Sequence, residues 1–190
     1  VCDESDGPFR LPHNLYGITK GWGEDVAAHY APIELSCLRF SMPYGPGLPA
    51  GRGRAAIINM LWQALHRKPI PVHRGAERSW CWIGDTVRAA RLILEQTQGG
   101  AFNVGRDDAA TSMLDVARLA CDLTGASESL IELVDAPMNQ TVVKRLATGR
   151  VRALGWTPEI ELEEGMRRTL EWVRTLGSDG IPLEPVAAHG

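Results

Sequence analysis

The feature that most constrains the fold is an apolar stretch that runs into a loop rich in proline and glycine. Residues from Ile33 to Phe40 carry apolar side chains on both faces towards the end of the stretch, and Tyr44-Gly45-Pro46-Gly47 follows shortly after. Strands that are apolar on both faces are typical of parallel sheets covered by helices on each side, and proline and glycine end such strands. The sequence therefore predicts an α/β fold that contains this strand.

Helical and extended patterns alternate along the rest of the chain. Asn14 is expected to cap a first helix that runs to about Tyr30, and the Asp85 carboxylate is expected to cap a later one. Thr111 or Ser112 is expected to cap another. The remaining predicted helices and strands are the helices 51–66, 144–154 and 162–173 and the strands 77–83, 101–104 and 131–134. With 190 residues, 44% of them hydrophobic, the chain is long enough for one domain with a sizeable core and too short for two ordinary ones.

Tyr16 and Lys20 are the residues whose spacing most clearly suggests chemistry. They stand four residues apart in the first predicted helix, so the phenol and the ammonium project from one face. A nearby ammonium favours phenolate over phenol, and a phenol held in this way can take a proton from a substrate alcohol. Two polar side chains that simply face solvent would show the same spacing, so both interpretations stay open on this pair alone.

Further motifs, taken in order, resemble the extended short-chain dehydrogenase/reductases, specifically the NAD-dependent epimerase/dehydratase family. They extend over about residues 8 to 176 and are Tyr16-x-x-x-Lys20, the strand through Arg39, Tyr44-Gly45-Pro46-Gly47, Arg78, Trp82-Ile83-Gly84-Asp85, Gly100-Ala101-Phe102-Asn103-Val104-Gly105, Leu154-Gly155-Trp156-Thr157-Pro158 and the Leu162-Glu163-Glu164-Gly165-Met166 helix.

The resemblance implies the C-terminal part of a Rossmann-like, doubly wound parallel sheet together with a small α/β substrate-binding domain. On this basis residues 1–50 would hold the catalytic helix and the last strands of an incomplete Rossmann-like domain. Residues 51–176 would be mostly substrate-binding, with the strand Ala101–Val104 able to return to the sheet, and residues 177–190 would form a flexible tail.

The resemblance also implies the roles of the candidate site residues. Tyr16 would exchange a proton with a sugar hydroxyl while hydride moves between that carbon and the nicotinamide of NAD or NADP. Lys20 would stabilise the phenolate and bind the hydroxyls of the nicotinamide ribose. Both residues would therefore be catalytic and would also contact the cofactor.

The loop after the strand would complete the site. Phe40, Ser41, Met42 and Pro43 would face the nicotinamide, because ligands of α/β sheets bind at the carboxyl ends of the strands. Arg78 would clamp the substrate diphosphate with its planar fork of donors. Nucleotide-sugar enzymes of this family commonly carry Asn at the position of Met42. Because Met lacks the amide donors, the resemblance leaves open a substrate that is another alcohol or ketone.

The motifs that normally precede the catalytic Tyr in this family are absent from the sequence. No Gly-rich dinucleotide turn occurs before Tyr16, Ser5 is the only hydroxyl residue there, and a βαβ unit needs about 30 residues. We therefore expect the second half of an NAD(P)-dependent epimerase, dehydratase or reductase, completed by residues or a chain elsewhere. The alternative is an inactive relative that serves as a structural or interaction module. The initial Val1 fits a fragment, a processed chain or an unusual start equally well.

Composition sets broader bounds on partners and location. The net charge is −3, with arginines interleaved among 23 acidic residues, which argues against nucleic-acid binding. The four cysteines show no metal-ligand spacing, so we expect reduced thiols, no metal and a cytoplasmic protein. We expect no membrane segment. A strand edge left open by a missing half invites pairing, so we expect a homodimer or a chain that completes the sheet.

Overall fold

The computed structural model describes residues 3–4, 15–29, 34–51, 55–97, 99–108, 110–136 and 143–183, excluding the side chains of 143 and 144. The chain forms two compact units rather than the one domain that its length predicts. The first comprises Val1–Pro43, Arg78–Ala110 and Pro137–Glu159, and the second comprises Tyr44–Glu77, Thr111–Ala136 and Ile160–Gly190. Within the described ranges, none of the helices has the length and apolar character that a bilayer crossing requires.

The described residues form helices and strands in alternation. In chain order they are α1 (Leu15–His29), β1 (Ser36–Phe40), β2 (Met42–Tyr44), α2 (Ala56–Leu65), β3 (Ile70–His73), β4 (Glu77–Arg78), β5 (Trp80–Trp82), α3 (Ile83–Gln96), β6 (Gly100–Val104), β7 (Thr111–Ser112), α4 (Met113–Thr124), a 3-10 turn (Glu128–Leu130), β8 (Ile131–Val134), β9 (Val143–Lys144), α5 (Gly149–Ala153) and α6 (Leu162–Val173). The predicted α/β fold is confirmed.

The first unit is built on a parallel pair of strands. β1 pairs with β6, in register from Ser36 opposite Gly100 to Phe40 opposite Val104. The core of this unit joins β5, β6, α3 and α5, and it consists of Cys81, Ala89, Ile93, Phe102, Val104, Val151 and Trp156. Parallel strands leave apolar residues facing covering helices, and the parallel pairing places the carboxyl ends of β1 and β6 side by side.

The second unit is also built on a parallel pair of strands with helices packed beside it. β3 pairs in parallel with β8, from Ile70 opposite Ile131 to His73 opposite Val134, and α2, α4 and α6 pack together beside them. Ser112 caps α4, since its Oγ accepts a hydrogen bond of 3.0 Å from the backbone N–H of Asp115. Of the two candidate caps, Ser112 is therefore the one that serves.

Several details differ from the sequence predictions. The helix predicted over 51–66 begins at Ala56, and the strand predicted over 77–83 is two short strands, Glu77–Arg78 and Trp80–Trp82. Asp85 does not cap α3 but lies in its first turn, where its carboxylate accepts the backbone N–H of Glu159 at 3.0 Å and pairs with Arg88 at 2.9 Å. The predicted helix 144–154 is helical only over α5, because Val143–Lys144 is extended. The strand β3 was not predicted, since two prolines within four residues resemble a loop.

Two further predictions cannot be compared with the described residues. The Asn14 cap and the end of the tail lie outside them. The functional division of the chain at residues 50 and 176 stays a prediction.

Candidate active site

Every predicted site residue lies in the first unit. Tyr16 and Lys20 stand one turn apart on α1, both exposed, with the ammonium of Lys20 5.4 Å from the centroid of the Tyr16 ring. The helix places them so because residues four apart share a face. Tyr16 is 50% exposed, so its phenol is accessible to a ligand.

A bidentate ion pair connects α1 with β1. Arg39 donates from Nε and Nη2 to the two carboxylate oxygens of Glu24, at 2.9 and 2.7 Å. Its third nitrogen, Nη1, donates to the backbone oxygen of Glu4 at 3.2 Å. The Glu24 bond raises the pKa of the Arg39 guanidinium further above its ordinary value, against a smaller opposite effect of burial. Glu24 lies one turn beyond Lys20, so the pair attaches the helix close to the candidate catalytic residues.

The loop after β1 is held by hydrogen bonds at the carboxyl ends of the strands. The backbone N–H of Ser41 donates to the oxygen of Val104 at 3.1 Å, and Ser41 Oγ donates to the backbone oxygen of Ser79 at 2.6 Å. Gly105 lies against Ser41, and a Cβ at this glycine would overlap the serine side chain. Phe40 is 47% exposed. Phe40 can therefore contact a ligand, and Ser41 is fixed from two sides.

Met42 and Pro43 continue this loop into β2. Met42 is half-buried and Pro43 is exposed. In the loop that follows β2, Gly47 has a φ of +112°, a conformation that favours glycine. This conformation explains why the last residue of the Tyr44–Gly47 motif is glycine.

Arg78 is buried, with 5% of its surface exposed, at the end of β4. Burial lowers the pKa of its guanidinium below the ordinary value. Arginine stays charged under such conditions, and its charge acts more strongly on a ligand where water is scarce. Ser79, whose backbone oxygen accepts the Ser41 hydroxyl, is the next residue in the chain. The structure thus connects the candidate substrate residue with the candidate cofactor loop.

Sequence reasoning missed two residues of this arrangement, Glu24 and Gly105. Glu24 had a detectable signal, because a charged residue inside an apolar strand, Arg39, requires an acidic partner. Gly105 appeared only as part of a motif. Its close contact with Ser41 depends on the register of β1 and β6, which local sequence patterns do not reveal.

Comparison with known proteins identifies the family. The model of the NAD dependent epimerase/dehydratase family matches residues 2–105 of this chain, which is more than half of its 190 residues. The matched range contains every candidate site residue discussed above.

Individual relatives agree with this match. A trifunctional UDP-glucose 4,6-dehydratase/UDP-4-keto-6-deoxy-D-glucose 3,5-epimerase/UDP-4-keto-L-rhamnose-reductase of Arabidopsis thaliana is 28% identical over 170 residues, covering 85% of this chain and 25% of its own. The Thermus thermophilus UDP-glucose 4-epimerase in complex with NAD has a TM-score of 0.76 at 22% identity and 86% coverage. MoeE5 in complex with UDP-glucose and NAD has a TM-score of 0.80 at 25% identity and 92% coverage.

The coverage of these relatives is partial. This chain spans 55% and 59% of the two solved chains. Their likeness confirms the predicted Rossmann-like fold for the part that is shared. Taken with the family match, it shows that the chain belongs to the NAD-dependent epimerase/dehydratase family.

Proposed function

We propose that this chain supplies the proton-transfer residues and part of the substrate site of an NAD(P)-dependent nucleotide-sugar epimerase or dehydratase. The observation that carries the proposal is the Tyr16–Lys20 pair, accessible on α1 with the ammonium over the phenol ring. A relative named for a reaction on UDP-glucose and a solved relative in complex with UDP-glucose and NAD support the substrate class. Together these observations favour proton exchange with a sugar hydroxyl.

The residues present fit a bound nicotinamide cofactor. Lys20 offers donors for ribose hydroxyls, and the partly exposed side chain of Phe40 lies at the carboxyl end of β1, where α/β proteins bind such ligands. Phe40, Ser41, Met42 and Pro43 would line the nicotinamide. When bound, NAD or NADP supplies the acceptor and donor of hydride.

Proton transfer is the task of the chain's own residues. Tyr16 accepts the proton of a sugar hydroxyl when the carbon that bears this hydroxyl is oxidised, and returns the proton when the resulting carbonyl is reduced. Lys20 stabilises the phenolate form through its charge and fixes the cofactor by its hydrogen bonds. Arg78 binds the diphosphate with its paired N–H groups.

Met42 favours a second candidate function, the reduction of a ketone that carries no nucleotide, or the reverse oxidation of the corresponding alcohol. Thioether sulfur is at best a weak acceptor and donates no hydrogen bond, so Met42 cannot replace an amide that binds a sugar. A comparison of UDP-glucose with non-nucleotide sugars as substrates separates the two candidates. If none of these sugars reacts, the result supports the alternative of an inactive interaction module.

The function is tested by Tyr16→Phe in the natural polypeptide that contains this chain. We expect turnover of UDP-glucose with NAD, followed by nicotinamide absorbance or product analysis, to fall by about 10²- to 10⁴-fold. Tyr44→Phe removes the same atom from a buried tyrosine that donates to Leu162 O at 3.3 Å, and it should retain activity. Equal activity of Tyr16→Phe and the parent would refute the proposal.

We also propose that the protein forms a homodimer through α1. Leu15, Trp22 and Val26 share one face of this helix and are 72%, 58% and 56% exposed, and an exposed apolar face favours association. Sedimentation should show a dimer that Trp22→Ser weakens. Leu94→Ser, on α3 and 82% exposed in the parent, is the control and should leave the dimer intact. A monomer at every concentration would contradict this proposal.

The thiols of the described residues bear on location. Cys37, Cys81 and Cys121 are free, and burial raises the pKa of each thiol. Reduced, weakly reactive thiols are usual in the cytoplasm. We therefore propose a cytoplasmic location.

A further inference from the structure

Glu24 is a carboxylate well placed to capture the ammonium of Lys20. It follows Lys20 by four residues on α1, and oppositely charged side chains at this spacing pair on helix surfaces. Tyr16 precedes Lys20 by the same interval. Lys20 therefore stands between a phenol on one side and a carboxylate on the other, and pairing with Glu24 would draw its ammonium away from Tyr16.

Arg39 holds the Glu24 carboxylate in the structure. Its Nε and Nη2 occupy both oxygens of Glu24 at 2.9 and 2.7 Å, and the two side chains are only 17% and 23% exposed. A bidentate, partly buried arginine pair is stronger than a single contact with a solvated lysine. Among the described residues Lys20 has no carboxylate partner, and its ammonium lies over the ring of Tyr16 instead.

We propose that Arg39 is a positioning residue that sequesters the Glu24 carboxylate and so leaves the Lys20 ammonium directed at Tyr16. The inference deepens the proposed function and rests on it for its catalytic meaning. A purely structural role, in which the pair only attaches α1 to β1, makes a different prediction. Attachment is lost equally when either partner is removed, whereas Lys20 is captured only when Arg39 is removed and Glu24 keeps its charge.

The contact between Lys20 and Tyr16 can be followed by NMR in the 190-residue chain. The readout is the nuclear Overhauser effect between the ε protons of Lys20 and the ring of Tyr16, and with only three lysines in the chain its assignment by Lys20→Arg is direct. Lys68, whose Nζ lies 3.9 Å from the centroid of the Trp62 ring, provides an internal reference that none of the variants should change.

Removal of each partner in turn distinguishes the two roles. We expect Arg39→Met to lose the Lys20–Tyr16 effect, and Glu24→Gln and the double variant Arg39→Met/Glu24→Gln to retain it. The inference would be overturned if Arg39→Met retained the Lys20–Tyr16 effect, or if Glu24→Gln lost it to the same extent as Arg39→Met.

A second pair of variants leaves the Arg39–Glu24 contact untouched and so avoids a fold defect. Gly23 lies three residues after Lys20 on α1, and a Cβ there would meet no atom within 4 Å. Gly23→Glu adds a carboxylate that Arg39, already paired, does not cover, and we expect it to draw Lys20 from Tyr16. Gly23→Gln, the neutral control, should retain the contact. If Gly23→Glu also retains it, the inference fails.

The outcome is separable from that of the proposed function. The NMR effect reports only where the Lys20 side chain lies, so it can follow the expected pattern even if Tyr16→Phe leaves activity unchanged, in which case the catalytic proposal alone is refuted. If the NMR results differ from the expected pattern while Tyr16→Phe lowers activity, the role of Arg39 is refuted and the proposed function stands.

Discussion

The helices α1 and α6 show two different ways of holding a helix in place. Of the fifteen residues of α1, all described, only Gly21 is buried, and the bidentate Arg39–Glu24 pair connects the helix to β1. Five of the twelve residues of α6 are buried, including Met166, Leu170 and Val173. Apolar burial stabilises α6, while α1 leaves its phenol and ammonium accessible. The comparison indicates that α6 contributes mainly stability, whereas α1 keeps the proposed proton-transfer residues exposed.

Truncation of a leucine should reveal the largest difference between the two helices. Leu170 on α6 is 4% exposed and Leu15 on α1 is 72% exposed. Leu170→Ala should lower the free energy of unfolding by about 2–5 kcal/mol, through lost burial and the cavity that remains. Leu15→Ala should change it by about 0.5 kcal/mol or less. Urea unfolding, at protein concentrations too low for the chain to dimerise, measures both changes. Equal losses of stability would refute the distinction between α1 and α6.

Glycine substitution should act in opposite directions on the two helices. Gly165 of α6 lies against the ring of Tyr44, so an added Cβ would overlap it, and Gly165→Ala should cost about 1–3 kcal/mol. Gly23 of α1 has open space, and Gly23→Ala should stabilise by about 0.5–1 kcal/mol, since alanine is the better helix former. Thermal unfolding checks the signs. A stabilising Gly165→Ala would show that α6 is packed less closely than described.

Acid should change the free energy of unfolding less than the two kinds of substitution above. It should weaken ion pairs before it weakens apolar contacts. Asp107 accepts hydrogen bonds from Thr148 Oγ1 and Arg152 Nη2, both at 2.5 Å. Burial, the largest single influence, raises the pKa of Asp107, but the bonds and charge of Arg152 and the bonds of Thr148 together outweigh it and hold the pKa below 3.8. A carboxyl with a depressed folded pKa stabilises above its unfolded value, and this contribution is lost as pH falls through the folded pKa.

The measurement is the pH dependence of unfolding below about pH 4, near the reference pKa of Asp. Asp107→Asn should reduce the loss of stability with acid by about 1 kcal/mol or less, because the group is partly exposed and its ion pair is screened by solvent. Asp122→Asn, at an exposed position on α4, is the control. An acid response that is identical in parent and Asp107→Asn would contradict the assignment.

Much of the fold could be predicted from local patterns. The periodic apolar residues of α6 and the apolar strands β1 and β6 were located closely, because their side-chain spacing reports directly which face is buried. The helix 144–154 was overestimated and β3 was missed, because short segments with prolines or charges take their conformation from neighbours rather than from propensity.

By itself the sequence determined that Tyr16 and Lys20 share a helix face and that an apolar strand precedes a Pro/Gly loop, because both follow from spacing along one element. Only the tertiary structure decided that Arg39 bonds to both carboxylate oxygens of Glu24 and that the Ser41 hydroxyl donates to the backbone oxygen of Ser79. It also decided that the Asp85 carboxylate accepts the backbone N–H of Glu159 instead of capping its own helix. These partners are distant in sequence. Their contacts depend on how strands and helices pack, and a charged or hydroxyl side chain takes the partner that packing brings within hydrogen-bond distance.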